Sequence, residues 1–166
     1  SIWSAKVIFT VQQPFKIYEY GTWTPIDCSP QEAWYEHGKP HKVFDNKLKQ
    51  DFTADEINQK WCTDFTYLFL ANHEVRYNCT IIDLHDRSAI ASITDRNITS
   101  DLAIRTLQEA LDSQPKIKEN LILHSDQGAQ FTSKAFVEFC ESVHVTQSMS
   151  KVGYPYDNAP MERYFN

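Results

Sequence analysis

Three acidic residues stand at positions where a carboxylate is costly or unexpected. Asp64 lies inside the apolar run 61–70, Asp126 stands between His-Ser and Gln-Gly, and Glu162 lies close to the last residue of the chain. A carboxylate among aromatic and aliphatic side chains has lost much of its water, and that burial is strongly unfavourable unless a cation compensates for it. A divalent metal ion is the natural compensation.

These residue types suit one chemistry in particular, the metal-assisted cleavage of a phosphodiester bond. Two Mg²⁺ ions, about 3.5 to 4 Å apart, activate an attacking oxygen and neutralise a leaving one. Mg²⁺ keeps several waters and is usually bound by one or two carboxylates together with phosphate oxygens. Three acids from distant parts of a chain are therefore enough, and no cage of His or Cys is required.

Three separate motifs carry a resemblance to a known family. They are NQKWCTDFTY at 58–67, LHSDQGAQFTS at 123–133 and SMSKVGYPYDNAPME at 148–162. Between Asp64 and Asp126 lie 61 residues, and between Asp126 and Glu162 lie 35. The chain resembles the integrase-like transposases of bacterial insertion sequences, members of the retroviral-integrase superfamily with a catalytic Asp, Asp, Glu triad. The resemblance covers about residues 40–166.

The resemblance implies a divalent-metal-dependent transposase. In that chemistry water attacks a phosphodiester at the end of the element, and the released 3′ hydroxyl then attacks target DNA, without a covalent enzyme intermediate. Asp64 would bridge two Mg²⁺ or Mn²⁺ ions, while Asp126 and Glu162 would each complete one site, so that catalysis comes from positioning and charge neutralisation. The implied partners are the DNA ends, target DNA, further copies of the chain and a separate DNA-binding transposase subunit.

Lys151 and Asn158, which precede Glu162 in the sequence, are candidate DNA contacts. Lys151 is placed to meet a phosphate, although a solvated loop lysine is nearly as good an interpretation. Asn158 is expected either to brace this segment or to touch DNA. His124 is expected to be a packed or hydrogen-bonded neighbour of Asp126 rather than a ligand.

Residue periodicity predicts an α/β fold. Residues 61–70 alternate as a strand covered on both faces does, and 74–83 and 89–94 follow as strands of an antiparallel meander. Thr99 or Ser100 is predicted to cap a helix with an apolar face. The short strand 121–124, reached through that helix, is then expected to lie parallel to the first strand.

The remaining elements complete the expected site. Asp126 should lie just past the carboxyl end of its strand, where open α/β sheets place their ligand sites. A second helix is predicted at 133–143 and a last strand at 145–148, and Asp157 or Asn158 should cap a final helix that carries Glu162. The resemblance implies that this mixed sheet with flanking helices is a ribonuclease-H-like fold.

Length and composition suit a modest domain with an appendage. The 166 residues are 42% hydrophobic, and no apolar stretch approaches the ~18 residues of a membrane span. A signal peptide is not indicated, which predicts a cytoplasmic protein, and the resemblance implies a bacterial, nucleoid-associated one. Residues 1–50 should form an N-terminal appendage and basic linker, and 51–166 the catalytic core, truncated just after the third carboxylate.

The cysteines and histidines favour no zinc site. The four cysteines show no paired spacing of the zinc or redox kind, and they are expected to be reduced and partly buried. His37 and His41 stand four residues apart, but the paired cysteines that a zinc site of this kind needs are absent.

The charge distribution leaves the activity open. The net charge is −6, and residues 51–166 hold 17 acids against 10 Lys and Arg. Because DNA affinity comes largely from cations that displace counterions, we expect weak and salt-sensitive DNA binding.

Two other interpretations remain: an inactive transposase fragment that keeps the fold, which the short helix around Glu162 favours, and a general nuclease on the same scaffold.

Overall fold

The computed structural model describes residues 40–72, 74–114, 117, 120–151 and 154–165, and the backbone of two short strands nearer the N-terminus. Those strands, β1 (Lys16–Glu19) and β2 (Thr22–Pro25), pair as an antiparallel hairpin. The other elements are β3 (Lys60–Phe69), β4 (Val75–Asp83), β5 (Ala89–Asp95), α1 (Ser100–Ser113), β6 (Ile122–Ser125), α2 (Lys134–Ser142), β7 (Thr146–Met149), a 3₁₀ turn (Pro155–Asn158) and α3 (Ala159–Phe165).

Five strands form one mixed sheet in the order β5-β4-β3-β6-β7. β3, β4 and β5 make the predicted antiparallel meander, with Asp64 opposite Thr80. β6 lies parallel to β3, and β7 lies parallel to β6. The expected crossover connection through α1 is therefore confirmed, and β3 lies in the centre of the sheet.

The alternation of β3 gives the sheet two different faces. Trp61 and Phe65 belong to the larger core, which α1 and α2 cover. Cys62 and Asp64 project from the opposite face, which we call the carboxylate face. One end of this face is apolar and is covered by α3 and by residues near Leu48; the residues packed there include Cys62, Ile82, Leu84, Met161 and Phe165.

The first two helices begin where capping residues predict. The hydroxyl of Thr99 accepts a hydrogen bond from the Leu102 N–H at 3.2 Å, which satisfies a donor of the first turn of α1. Ser133 accepts from the Phe136 N–H at 3.3 Å and does the same for α2. Both helices bury one apolar face against the sheet, as their sequence period predicts.

The start of α3 differs from the prediction. A 3₁₀ turn precedes the helix, and neither Asp157 nor Asn158 uses its side chain as the expected cap. The Asp157 carboxylate accepts hydrogen bonds from the side chains of Asn46 and Gln50. The Asn158 amide donates to Asp64 instead. Partners about a hundred residues away have replaced the local cap.

Residues 41–50, predicted as part of a linker, contact the core directly. The N–H groups of His41 and Lys42 donate to the carbonyl of Thr132, and Leu48 is 3% exposed. Three cysteines (Cys62, Cys79 and Cys140) are buried free thiols. Cys28 and His37 lie outside the described residues, and the domain boundary near residue 50 stays a prediction. Among the described helices, none has the length and apolar character that crossing a membrane requires.

Candidate active site

Asp64 lies on β3, and Asp126 lies at the end of the neighbouring parallel strand β6. Cys62 of β3 stands opposite His124 of β6, and two further residues along this register bring Asp64 beside Asp126. Asp126 directly follows the last residue of β6. Since adjacent strands are about 4.8 Å apart, the two carboxylates become neighbours at the carboxyl end of the parallel pair. The structure thus places these two predicted residues together.

Asp64 is held by two hydrogen bonds, yet its charge is poorly compensated. Its Oδ1 accepts from the Phe65 N–H at 2.8 Å, and its Oδ2 accepts from Asn158 Nδ2 at 2.9 Å. Burial above all, and then the negative charges of Asp126 and Glu162, raise the pKa of Asp64 to about 7. Each of the two hydrogen bonds lowers the pKa, but together they do not offset that cost.

Asp126 is held by the tight turn that follows it. Its Oδ1 accepts from the Gly128 N–H at 2.8 Å, and burial raises the pKa of the carboxyl. A Cβ atom at position 128 would stand 2.9 Å from that oxygen, closer than a real side chain allows. Glycine therefore permits the close approach of the carboxylate to the backbone, and a larger residue would require the carboxylate or the turn to shift.

Glu162 reaches the same region from α3. It stands one turn beyond Asn158, whose amide bonds to Asp64, and its charge contributes to the raised pKa of Asp64. Met161 is 0% exposed and Phe165 is 4% exposed, and both pack in the smaller core on the carboxylate face. The apolar face of α3 therefore fixes the helix against the sheet, with Glu162 close enough to Asp64 for its charge to act on that carboxylate.

His124 connects β6 to the turn before α3. Its Nε2 lies 2.9 Å from the carbonyl oxygen of Asp157, and its Nδ1 lies 2.9 Å from the hydroxyl of Ser148. A carbonyl only accepts, so Nε2 carries the proton, and burial lowers the pKa of the ring, which favours the neutral form. His124 is thus the hydrogen-bonded neighbour that the sequence predicted.

Asp157 has a structural role that differs from the helix cap predicted for it. It is 4% exposed and accepts hydrogen bonds from Gln50 Nε2 and Asn46 Nδ2, each at 2.9 Å, and from the Lys151 N–H at 3.1 Å. The bond from Gln50 is the largest cause of the lowered pKa of Asp157. A buried aspartate with three donors ties the segment before β3 to the turn that carries Asn158.

The donor chemistry of the three acids fits Mg²⁺, although their side chains are not gathered into a ligand set. Hard carboxylate oxygens whose charge is uncompensated are what such an ion requires. Asn158 adds a buried Oδ1 that has no hydrogen-bond partner. Within the described ranges, however, no three His, Cys, Asp or Glu side chains are arranged so as to hold a metal ion. Metal binding by Asp64, Asp126 and Glu162 stays a prediction.

The two candidate DNA contacts differ in their surroundings. Lys151 is exposed beside the turn before α3. The Asn158 side chain is 8% exposed and donates to Asp64, which is the bracing role among the two that its position suggested. Contact with DNA by either residue stays a prediction.

The sequence matches a known family and known proteins. Residues 54–155 match the family model described as integrase core domain. The chain is 38% identical over 130 residues to the transposase InsF for insertion sequence IS3A of Escherichia coli (strain K12), covering 78% of this chain and 44% of that protein. It is 33% identical over 135 residues to the probable transposase for insertion sequence element IS1353 of Shigella flexneri, covering 77% of this chain and 24% of that protein. The chain therefore spans less than half the length of these relatives.

Solved structures agree on the fold. The simian T-cell lymphotropic virus intasome in complex with PP2A regulatory subunit B56 gamma is similar with a TM-score of 0.62 and 18% identity, over 76% of this chain and 43% of that one. The HTLV-2 integrase catalytic core domain in complex with magnesium (trimeric form) is similar with a TM-score of 0.53 and 22% identity, over 64% of each chain. The predicted ribonuclease-H-like fold is confirmed.

Proposed function

Because this chain belongs to the integrase core domain family and is similar to insertion-sequence transposases, we propose that it is a transposase catalytic core, which cuts element ends and joins the 3′ ends to target DNA. The reaction is a phosphodiester transesterification. Water is the nucleophile in the first step, and the released 3′ hydroxyl is the nucleophile in the second.

One observation carries this proposal. Asp64 of β3 and Asp126, which directly follows the parallel strand β6, are neighbours, and the Asn158 amide joins Asp64 to the turn that begins the helix of Glu162. Three segments that are far apart in sequence thus bring acids to one place on the sheet. Concentrated, uncompensated negative charge of this kind lowers the stability of a fold, and a site that binds cations and reacts with phosphates supplies a reason to keep it.

We propose that Asp64, Asp126 and Glu162 hold two Mg²⁺ or Mn²⁺ ions. When bound, the ions supply charge neutralisation at the attacking and leaving oxygens. The contribution of the chain is positioning: Asn158 and the Phe65 N–H orient Asp64, and the Gly128 N–H orients Asp126. The packing of α3 brings Glu162 towards both.

The proposed partners follow from the same family. The substrates are the ends of an insertion sequence and a target DNA, with exposed Lys151 meeting a phosphate near the site. We propose self-association, because one structural relative is an intasome and another is a trimeric form. A separate DNA-binding subunit is proposed as a further partner, and action on the bacterial chromosome places the protein with the nucleoid.

A metal titration tests the site before any cleavage assay. Thermal unfolding is followed in EDTA and with increasing Mg²⁺ or Mn²⁺ for the parent chain, Asp64→Asn and the control Asp112→Asn, an exposed acid of α1. A ligand that binds only the folded state raises its stability by mass action, by about 2.7 kcal/mol at a concentration one hundred times Kd. The parent and Asp112→Asn should be stabilised and Asp64→Asn should not. A parent without any stabilisation contradicts the proposed metal site.

Cleavage of a labelled element end then tests the reaction. The parent should cut the strand next to the terminal sequence, and Asp64→Asn should abolish cutting while Asp112→Asn retains it. Cleavage by Asp64→Asn at the parent rate would disprove the catalytic assignment. Cutting without regard to element ends would indicate the general nuclease instead.

An inactive core that keeps the fold is the second candidate function. The observation that favours it is the arrangement of the acids, which are neighbours but are not gathered into a ligand set within the described part of the chain. It predicts that the unfolding temperature of the parent does not respond to metal and that labelled ends are left uncut.

A further inference from the structure

The arginines of this acidic protein are unevenly placed. The sequence contains five arginines: Arg76, Arg87, Arg96, Arg105 and Arg163. Four of them lie at the two ends of the carboxylate face defined above, and the fifth, Arg105, lies on α1, which covers the opposite face. In a chain with a net charge of −6 this concentration indicates an anionic partner for the carboxylate face.

One end of the face is a cavity with two arginines. The cavity has a volume of about 480 Å³ and lies between the sheet and α3. Its lining includes Arg87, Arg163, Phe52, Tyr164 and, from the sheet, Ile82, and no residue of the described part of the chain that lines it is acidic. The guanidinium of Arg87 is anchored by a 2.9 Å hydrogen bond to the Phe52 carbonyl. Two cations beside two aromatic rings are suited to a phosphate that is attached to a planar base.

The other end of the face carries the second arginine pair. Arg76 of β4 stands opposite Leu68 of β3, and it donates hydrogen bonds to the Glu74 carboxylate and to the Val75 carbonyl. Arg96 is exposed and directly follows β5. Hydrogen bonding by Arg76 is the largest cause of the lowered pKa of Glu74, and the charge of Arg96 contributes to it. The two arginines therefore lie close to one another around a single acid.

Between the two ends, apart from the acids of the candidate site, the face is uncharged and rich in hydrogen-bonding groups. Its side chains there are Thr66, Asn78, Thr80, Ser92 and Thr94. Asn78 Nδ2 donates to Ser92 Oγ at 2.9 Å and to Thr94 Oγ1 at 3.0 Å, and Thr80 donates to Asn78 Oδ1 at 2.6 Å. Thr80 stands opposite Asp64, which is the one acid that β3, β4 and β5 present on this face according to their register.

The length of the face suits a short piece of DNA. Six residue steps along β4 separate Ile82 from Arg76, which is about 20 Å at roughly 3.4 Å per residue. A strand of B-DNA advances about 3.4 Å per nucleotide, so the face spans about six nucleotides. Asp64 lies between the ends, so a strand on this face would pass the catalytic carboxylates.

We propose that the DNA strand flanking the scissile bond lies along the carboxylate face, from the Arg87 and Arg163 cavity past the exposed Ser92 and Thr94 to Arg96. The exposed hydroxyls of Ser92 and Thr94 between the ends bond to phosphates, as such side chains do in protein–DNA interfaces, while the buried Asn78 and Thr80 hold these two hydroxyls in place. Tyr164 and Phe52 contact a base at the cavity. This inference rests on the proposed function, because it names the surface that carries the substrate of that site.

A polar sheet face has an ordinary explanation that the test must separate. Antiparallel sheets commonly leave one hydrophilic face in water, which explains the threonines and serines without any ligand. It does not explain four of five arginines at the ends of the face. The other anionic ligand that suits this face is an acidic peptide. If the face binds such a peptide and not DNA, the affinity for DNA will not depend on phosphate contacts of these arginines.

Salt-dependent binding tests the proposal. A fluorescent duplex that carries an element end is titrated with the full chain in low salt, and the titration is repeated as salt is raised. Arg96→Gln and Arg163→Gln should each weaken binding several-fold and reduce the slope of log K against log salt by about 0.9, the loss of one phosphate contact. The matched control Arg105→Gln removes the same charge from α1 and should change neither quantity.

Each other outcome overturns the proposal. Equal losses in all three variants would indicate a general charge effect, unchanged binding in Arg96→Gln and Arg163→Gln would place the DNA elsewhere, and a parent chain that binds no DNA in low salt would leave the face without this ligand.

Photo-crosslinking separates this proposal from the proposed function. A photoreactive base within three nucleotides of the scissile bond should attach to peptides containing Tyr164 or Arg96, identified by mass spectrometry. Crosslinks to α1 with cleavage that still requires Asp64 would refute the DNA path and leave the catalytic proposal intact. Crosslinks on the carboxylate face with cleavage that survives Asp64→Asn would do the reverse.

Discussion

Asp64 lowers the stability of the fold through its buried charge, and it also provides an oriented carboxylate for the proposed site. It is tied to the backbone by the Phe65 N–H and to the start of α3 by Asn158. Those bonds fix where the carboxylate points, while burial and two neighbouring acids disfavour its charge. A side chain that is oriented and electrostatically unsatisfied is prepared for a cation, and the same feature makes the stability of the protein depend on pH.

The pH dependence has a definite sign. The pKa of Asp64 is about 7 in the folded chain, whereas its ordinary value, which applies to the unfolded chain, is 3.8. Between pH 3.8 and pH 7 the folded chain therefore binds one proton more than the unfolded chain. The contribution of Asp64 to stability therefore falls as pH rises through this window. Asparagine does not titrate, so in EDTA Asp64→Asn does not lose stability as pH rises. The unfolding free energy of Asp64→Asn relative to that of the parent should therefore increase from pH 5 to pH 8, by roughly 2 kcal/mol. Urea unfolding at both pH values measures the gain.

A matched acid controls that measurement. Asp112→Asn, on the exposed side of α1, should differ from the parent by the same amount at pH 5 and pH 8. A difference between Asp64→Asn and the parent that does not change with pH would show that Asp64 is ionised without penalty.

Gly128 is the second residue with a sharp consequence. In Gly128→Ala the new Cβ would be 2.9 Å from Asp126 Oδ1, so the carboxylate or the turn must move. We expect a loss of about 1 to 3 kcal/mol in unfolding free energy, typical of an overpacked site. The metal-dependent stabilisation should fall as well, because Asp126 loses its orientation. Ala129→Ser, at the exposed neighbouring position, should change neither in the same unfolding assays.

At the scale of elements, local signals predicted the strands and the first two helices well. Strand alternation and the Thr99 cap depend on residues that are near in sequence; the observed bounds of β3 to β5 lie within one residue of the prediction, and α1 begins directly after the predicted Thr99 cap. The side-chain cap of α3 was predicted wrongly because Asp157 accepts hydrogen bonds from Asn46 and Gln50 instead, which no local pattern reveals. The placement of Asp64 beside Asp126 was predictable from parallel pairing, but the bracing bond from Asn158 was only one of two alternatives.

The Asp157 connection is expected to hold α3 in place as a unit. Asp157→Ala removes the acceptor of the Asn46, Gln50 and Lys151 donors and leaves these groups partly buried without partners. Amide hydrogen exchange should then rise in 46–50 and in the 3₁₀ turn, and remain unchanged in α1. Uniform exchange across the molecule would mean global destabilisation, and unchanged exchange at 46–50 would contradict the connection.

The whole molecule combines an acidic surface with a site for a polyanion. Its net charge of −6 opposes DNA at long range, and its arginines are concentrated where the proposed strand would lie. The position of the arginines thus compensates for their small number. The chain also spans 44% of the length of its Escherichia coli relative, so the affinity of this core is a property separate from that of a longer transposase.

We expect this chain to bind DNA weakly and with strong salt dependence. If three of the arginines on the carboxylate face meet phosphates, the slope of log K against log salt should be about −2.7, because each contact contributes about −0.9. Raising the salt from about 50 to 200 mM should then weaken binding by roughly forty-fold. Fluorescence anisotropy with duplexes of random sequence measures both quantities. Nanomolar binding to random DNA at about 150 mM salt would contradict the expectation, since so few cations cannot supply that affinity against the repulsion of the acidic surface.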